Sequence, residues 1–236
     1  HAGLFNQRCS ACQCNRDFSE YLGKRILEAH THYPTQKIKS CKPFSGEPFK
    51  LPLAILKKYG DSLTLPENPK YFRTLFRPRL FLNIDIEGLK PGFRMEVELF
   101  TEACPQVVLE LLKICYKNQK NSIFFKHCFP DLWLNIEIPM RKNFNLSKNL
   151  EFDSRALNLE SGIGILFFSK KNVNGFQNNT LRFSISFRTL AVINNSRVAF
   201  GRVVGGRKYF MDLAKLGRKN GTIEKNIVVS ESGIMY

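Results

Sequence analysis

From residue 79 onward the chain alternates. LFLNIDIEG (residues 80–88) places an apolar side chain at nearly every second position, the period of a strand with one buried face. FRMEVELF (residues 93–100) repeats the pattern after LKPG, which reads as a turn, so the two runs predict a hairpin. In CPQVVLELLKICYKNQ (residues 104–119) the period changes. Apolar residues at 107, 108, 111, 112 and 115 mark a helix, and Pro105 suits its first turn. Strand-like runs resume in SIFFKHCF, LWLNIEI, IGILFF, LRFSISF, SRVAFGRVV and NIVVSES, and KYFMDLAKLG reads as a second helix. Many short strands with two helices predict a mainly β protein, a closed antiparallel barrel plugged by helices.

Residues 1–76 do not share this pattern. Prolines recur at Pro34, Pro43, Pro48, Pro52, Pro66 and Pro69, and the stretches between short helical patches are turn-rich and weakly periodic. Such a segment has too few periodic apolar residues to bury a core of its own. It predicts an extended N-terminal arm, residues 1–76, that orders against something else, preceding a folded domain over residues 77–236.

Charge and cysteines narrow the setting. The formal net charge of the 236-residue chain is +16. It is spread over both parts, with 12 basic and 6 acidic residues in positions 1–76 and 24 and 14 in positions 77–236. Such a chain favours acidic partners, whether an acidic protein surface, RNA or anionic lipid. No RNA-reading motif is visible. No run of about 18 apolar residues is present, so no membrane-crossing helix is expected. The first residues show no basic stretch followed by an apolar one, so a leader peptide is not expected. Seven scattered cysteines, an odd number, point to reduced thiols inside a cell. Cys9 and Cys12 have zinc-ligand spacing, with His30 and Cys41 downstream, but no second C-x-x-C or H-x3-H follows. No metal, other cofactor or small-molecule substrate is expected.

Five segments, in this order, resemble one family. The hairpin ending in EVELF and continuing into TEACP and an apolar helix resembles the opening of a cyclophilin. FFKHCFPDLWLN resembles the F-H-R-x-x-P-x-F-M-x-Q segment of that family, ESGIGIL its G-P-G-x-L, and SRVAFGRVVGG its H-x-V-F-G-x-V-x-x-G. LGRKNGTIEKNIVVSESG is similar to its closing strand region. The resemblance covers roughly residues 79–236 and implies an eight-stranded antiparallel barrel with a helix at each end.

Cyclophilins are peptidyl-prolyl isomerases. They speed rotation about an X–Pro amide, whose barrier is about 18–20 kcal/mol. In the family an arginine aims a donor at the prolyl nitrogen and weakens the amide resonance. An apolar pocket seats the proline ring. The resemblance places His127 at that arginine. Leu132 and Trp133 fall on the Phe and Met of the pocket, and Asn135 on the Gln after them. Further along, Lys170 stands near the Asn whose backbone binds peptide, Arg182 at a second Gln, and Ser184 at the pocket Phe. Val192 and Ile193 replace a Trp-Leu pair, and Arg197 replaces the pocket His. A shorter imidazole cannot offer the two parallel N–H donors of a guanidinium, and Ser184 removes an aromatic floor. These positions imply a catalytically degenerate barrel that serves as a structural or docking subunit of a larger assembly. The partner expected is a protein with acidic, tubulin-like surfaces, in the cytoplasm or cytoskeleton of a cilium or flagellar axoneme. Two other readings stay open: a weakly active peptidyl-prolyl isomerase, and a subunit of an RNA–protein complex, which would place the chain in the nucleus.

Overall fold

A computed structural model describes residues 77–101, 103–116, 122–140, 146–157 and 162–235. The proposed arm, with Cys9, Cys12, His30 and Cys41, lies outside the described residues. Eight strands form one closed barrel: β1 (Arg79–Ile86), β2 (Leu89–Leu99), β3 (Phe124–Phe129), β4 (Trp133–Pro139), β5 (Ile165–Ser169), β6 (Thr180–Ser186), β7 (Arg197–Gly205) and β8 (Ile227–Met235). Around the wall they run β1-β2-β7-β5-β6-β4-β3-β8, and β8 pairs with β1 to close it. Every pairing is antiparallel. The fold class read from the sequence, a mainly β barrel with two helices, is the one observed.

Helix α1 (Pro105–Tyr116) follows β2 and α2 (Arg207–Leu213) follows β7. Because β2 and β7 are antiparallel neighbours, their C-terminal ends point in opposite directions. The two helices therefore sit at opposite ends of the barrel. Val107, Val108 and Cys115 of α1 and Phe210 and Leu213 of α2 are fully buried. Gly206, the residue before α2, has φ +71°, and a Cβ there would strike the Arg94 carbonyl. Only glycine makes that corner without strain.

Alternation fills the interior. Leu134, Ile136 and Ile138 of β4, Leu181, Phe183 and Ile185 of β6, and Val198 and Phe200 of β7 belong to the central core. Aromatic rings tie it together, with Phe168 5.8 Å from Phe200 and Phe183 5.6 Å from Phe200 between centroids. One expected boundary moves. LKPG is not the turn: Glu87 and Gly88 make it, with Gly88 at φ +74°, and Leu89–Gly92 already belong to β2. Pro91 is tolerated there because β2 meets β7 only from Glu96 onward, so this stretch has a free edge.

The outer face carries one buried carboxylate. Glu98 of β2 stands directly between Arg79 of β1 and Arg202 of β7 in the register. Its carboxylate lies 2.7 Å from Arg202 Nη2 and 3.6 Å from Arg79 Nη2. Its side chain is only 5% exposed, so the two guanidinia offset a substantial desolvation cost. Glu98→Gln should lower stability by about 2 kcal/mol, less than a fully buried pair because Arg79 is half exposed. The midpoint of chemical denaturation measures this.

Three thiols are interior. Burial pushes Cys104 and Cys115 up from 9.0 to about 12, and Cys128 up to about 11. A raised folded-state value means the stabilising contribution is complete below the ordinary thiol range and is lost as pH climbs toward the folded values. Stability should therefore fall between about pH 9 and pH 12. At pH 8 these three cysteines should resist maleimide in the native protein and react once it is denatured, as read by peptide mapping.

Candidate functional site

Period-two strands have two faces, and the second face of β5 is also apolar. Leu166 and Phe168 point into the central core, whereas Ile165 and Phe167 form a separate cluster on the outside of the wall. Leu190 and Ala199 complete that cluster, and Trp133 and Ile193 pack against it. Phe167 is the centre of this shelf: Trp133 meets its ring edge-on at 6.0 Å, with planes at 90°. The aromatic line continues through Phe129, 6.2 Å from Trp133, to His127, stacked on Phe129 at 6.2 Å.

Register brings the outward residues of five strands together. His127 pairs with Asn135, Asn135 with Ser184, Ser184 with Phe167, and Phe167 with Ala199. This row crosses β3, β4, β6, β5 and β7. An irregularity between Phe125 and His127 turns both Lys126 and His127 to the surface. Ser184 donates a hydrogen bond to the Asn135 side-chain carbonyl at 2.7 Å, which locks the centre of the row. A cleft of about 360 Å³ opens over it, lined by His127, Trp133, Asn135, Phe167, Ser184 and Arg197 among others.

Two cations reach this cleft under different constraints. Arg182 stands opposite Glu137 in the register and donates from Nε to its carboxylate at 3.0 Å. Both groups are partly solvated, so the pair contributes little to stability but orients the guanidinium. Arg197 begins β7 opposite Ser169, half-buried on the cleft wall.

The remaining expected positions lie elsewhere. Lys170 is exposed and starts a short 3-10 turn, Lys170–Asn174; its backbone N–H donates to the Ser196 carbonyl at 3.0 Å. Ser169 and Asn172 line the cleft in its place, because the strand ends at Ser169 and the turn swings the lysine out. Val192 is 98% exposed at the middle of the turn Ala191–Ile193, and Ile193 is the residue that packs on the shelf. Leu132, 38% exposed, sits in the turn between β3 and β4 and is not part of the lining. Ser184 carries no ring; its register neighbour on β5 is the buried Phe167. Phe167 was missed from the sequence; its signal is the unbroken apolar run ILFF, which marks a strand buried on both faces. Among the described residues, no group of three or more histidines, cysteines or carboxylates is placed to hold a metal. No described helix is long and apolar enough to cross a membrane.

An eight-stranded closed barrel, a helix at each end and an outer cleft over its wall define a barrel of cyclophilin architecture. The family model for cyclophilin-type peptidyl-prolyl cis-trans isomerases matches residues 81–234, and the chain belongs to that family. No curated protein matches the sequence at a significant level.

Removing the shelf's central ring tests its role in this architecture. Phe167→Ala should destabilise the protein by about 3 kcal/mol and shift Trp133 emission to longer wavelength, read by denaturation and fluorescence.

Proposed function

We propose that this protein is a docking member of the cyclophilin family, with a cleft that holds peptide without rotating its prolyl bond efficiently. One observation carries the reading. Where the family presents an arginine, β3 presents the imidazole of His127, stacked on Phe129, while the cleft and its apolar shelf persist beside it. Shape for binding is kept and the forked donor for catalysis is not. Uncatalysed X–Pro rotation takes tens to hundreds of seconds, and speeding it requires a donor held against the prolyl nitrogen. Neither Asn135 nor Ser184 supplies a cation, and they are bonded to each other.

The net charge of +16 supports a partner with an acidic surface. We place the protein in a large cytoskeletal assembly, with the tubulin lattice of an axoneme as the acidic surface. Residues 1–76 act there as a basic arm along neighbouring subunits. Salt-sensitive cosedimentation with microtubules in preference to RNA is the expected outcome; preferential RNA binding overturns the assignment.

One observation favours the reading of a remodelled isomerase: Arg182 reaches the same cleft, although Glu137 holds it. A prolyl-peptide turnover assay separates the two. The wild-type protein should run within about twofold of the spontaneous rate, His127→Ala should change nothing, and His127→Arg should raise the rate about tenfold or more. Rates far above background that vanish in His127→Ala or Arg182→Ala would establish an isomerase instead.

A further inference from the structure

Positive charge collects on two banks of the cleft. On β7 and the turn after β5, Arg197 stands opposite Ser169, and Lys170 and Lys171 follow that serine, both exposed. On β3 and β6, Lys126 is exposed beside His127, and Arg182 belongs to the lining. Glu137 is the one carboxylate in the lining, and Arg182 holds it at 3.0 Å. Among the described residues, no ion pair engages Lys126, Lys170, Lys171 or Arg197. All of them reach solvent, so the fold does not require a partner for any. A single exposed pair with an acid contributes little, but clustered charges of one sign set up a field that gathers an acidic chain. Around α2 the surface is mixed instead: Lys215 pairs with Asp212, and Arg218 with Glu224.

The wall gives the ligand a length. Across the cleft the strands run β3-β4-β6-β5-β7. Neighbouring strands lie about 4.8 Å apart, so the four steps from β3 to β7 separate the banks by about 19 Å along the wall. An extended polypeptide rises about 3.3 Å per residue, so about six residues bridge that distance. We propose that an extended, Glu-rich segment of the partner protein crosses the cleft mouth. Its carboxylates meet Lys126 and Arg182 at one bank and Arg197, Lys170 and Lys171 at the other. The segment needs neither a proline nor a ring. This inference rests on the docking reading and adds where the acidic partner is met and by which cations. Single-stranded RNA is a poorer fit, because its bases need open ring faces to stack on. Here the rings engage one another, His127 with Phe129, Phe129 with Trp133 and Trp133 with Phe167, and Lys126 covers Phe124 at 5.6 Å.

The test titrates the full chain with fluorescein-labelled octaglutamate, read by anisotropy, at about 0.1 M salt, where charges are screened beyond about 10 Å. One variant carries Lys126→Glu, Lys170→Glu and Lys171→Glu together. A second carries Arg207→Glu, Lys208→Glu and Lys219→Glu, outside the cleft lining, and changes the net charge equally. All six side chains are exposed, so both variants should keep the fold, as circular dichroism checks. The first variant should bind about tenfold more weakly or worse, and the second within about twofold of wild type. Octaglutamine should not bind. Equal losses in the two variants assign binding to net charge alone and overturn the inference, as does a wild type that binds no octaglutamate. Oligouridylate bound more tightly than octaglutamate, and lost in the first variant, assigns the banks to phosphate and also overturns it. Microtubule cosedimentation of the same proteins separates this inference from the reading beneath it. Loss in the first variant alone supports the inference. Sedimentation of wild type and both variants alike overturns this surface and leaves the acidic partner in place, whereas a wild type that does not sediment overturns the microtubule assignment itself.

Discussion

Closing a sheet on itself leaves each strand residue a choice of two sides. Neighbouring residues must then take opposite sides, and a slip of one position exchanges them all. The rest of this structure follows from that constraint. Leu134 and Ile136 face the core, so Trp133, Asn135 and Glu137 must face out. Leu181, Phe183 and Ile185 do the same for Arg182 and Ser184. The cleft is the set of outward residues that five strands bring to one place, and it holds its arrangement because the interior cannot be repacked without losing its rings.

The strands and both helices were legible because their periods are clean. LFLNIDI and WLNIEI alternate, and PQVVLELLKIC does not. The turn in β1–β2 was displaced because Lys-Pro-Gly outweighs Glu-Gly as a local signal, whereas a free strand edge lets Pro91 stay in the ladder. His127, Trp133, Asn135, Ser184 and Arg197 line the cleft, and in the sequence the flanking FP and VAFG anchor only His127 and Arg197. Lys170, Leu132 and Val192 do not line it, since each belongs to a turn whose direction depends on backbone geometry rather than on residue order. Phe167 was hidden for a different reason. In a run of four apolar residues no alternation marks which ring faces out, and only the neighbouring strands decide.

Within the cleft, apolar shape and charge are separated. Phe167 and Leu190 are buried in the outer apolar cluster, with Trp133 half-buried against it on the cleft lining, while Arg182 and Arg197 supply positive charge to that lining. Rotation of an amide demands that a donor and an apolar seat act on one atom. Holding a chain demands only that they act within the same few residues, and the docking proposal asks only this of the cleft.

The first and last strands of the barrel are each other's neighbours, with Arg79 opposite Met235 and Ile86 opposite Ile227. During synthesis, β1 leaves the ribosome long before its second partner exists. Its outer edge must wait unpaired, a template for any other strand nearby. The barrel can therefore close only once β8 has been made, and a chain stalled between β7 and β8 has no strand to join β1 to β3.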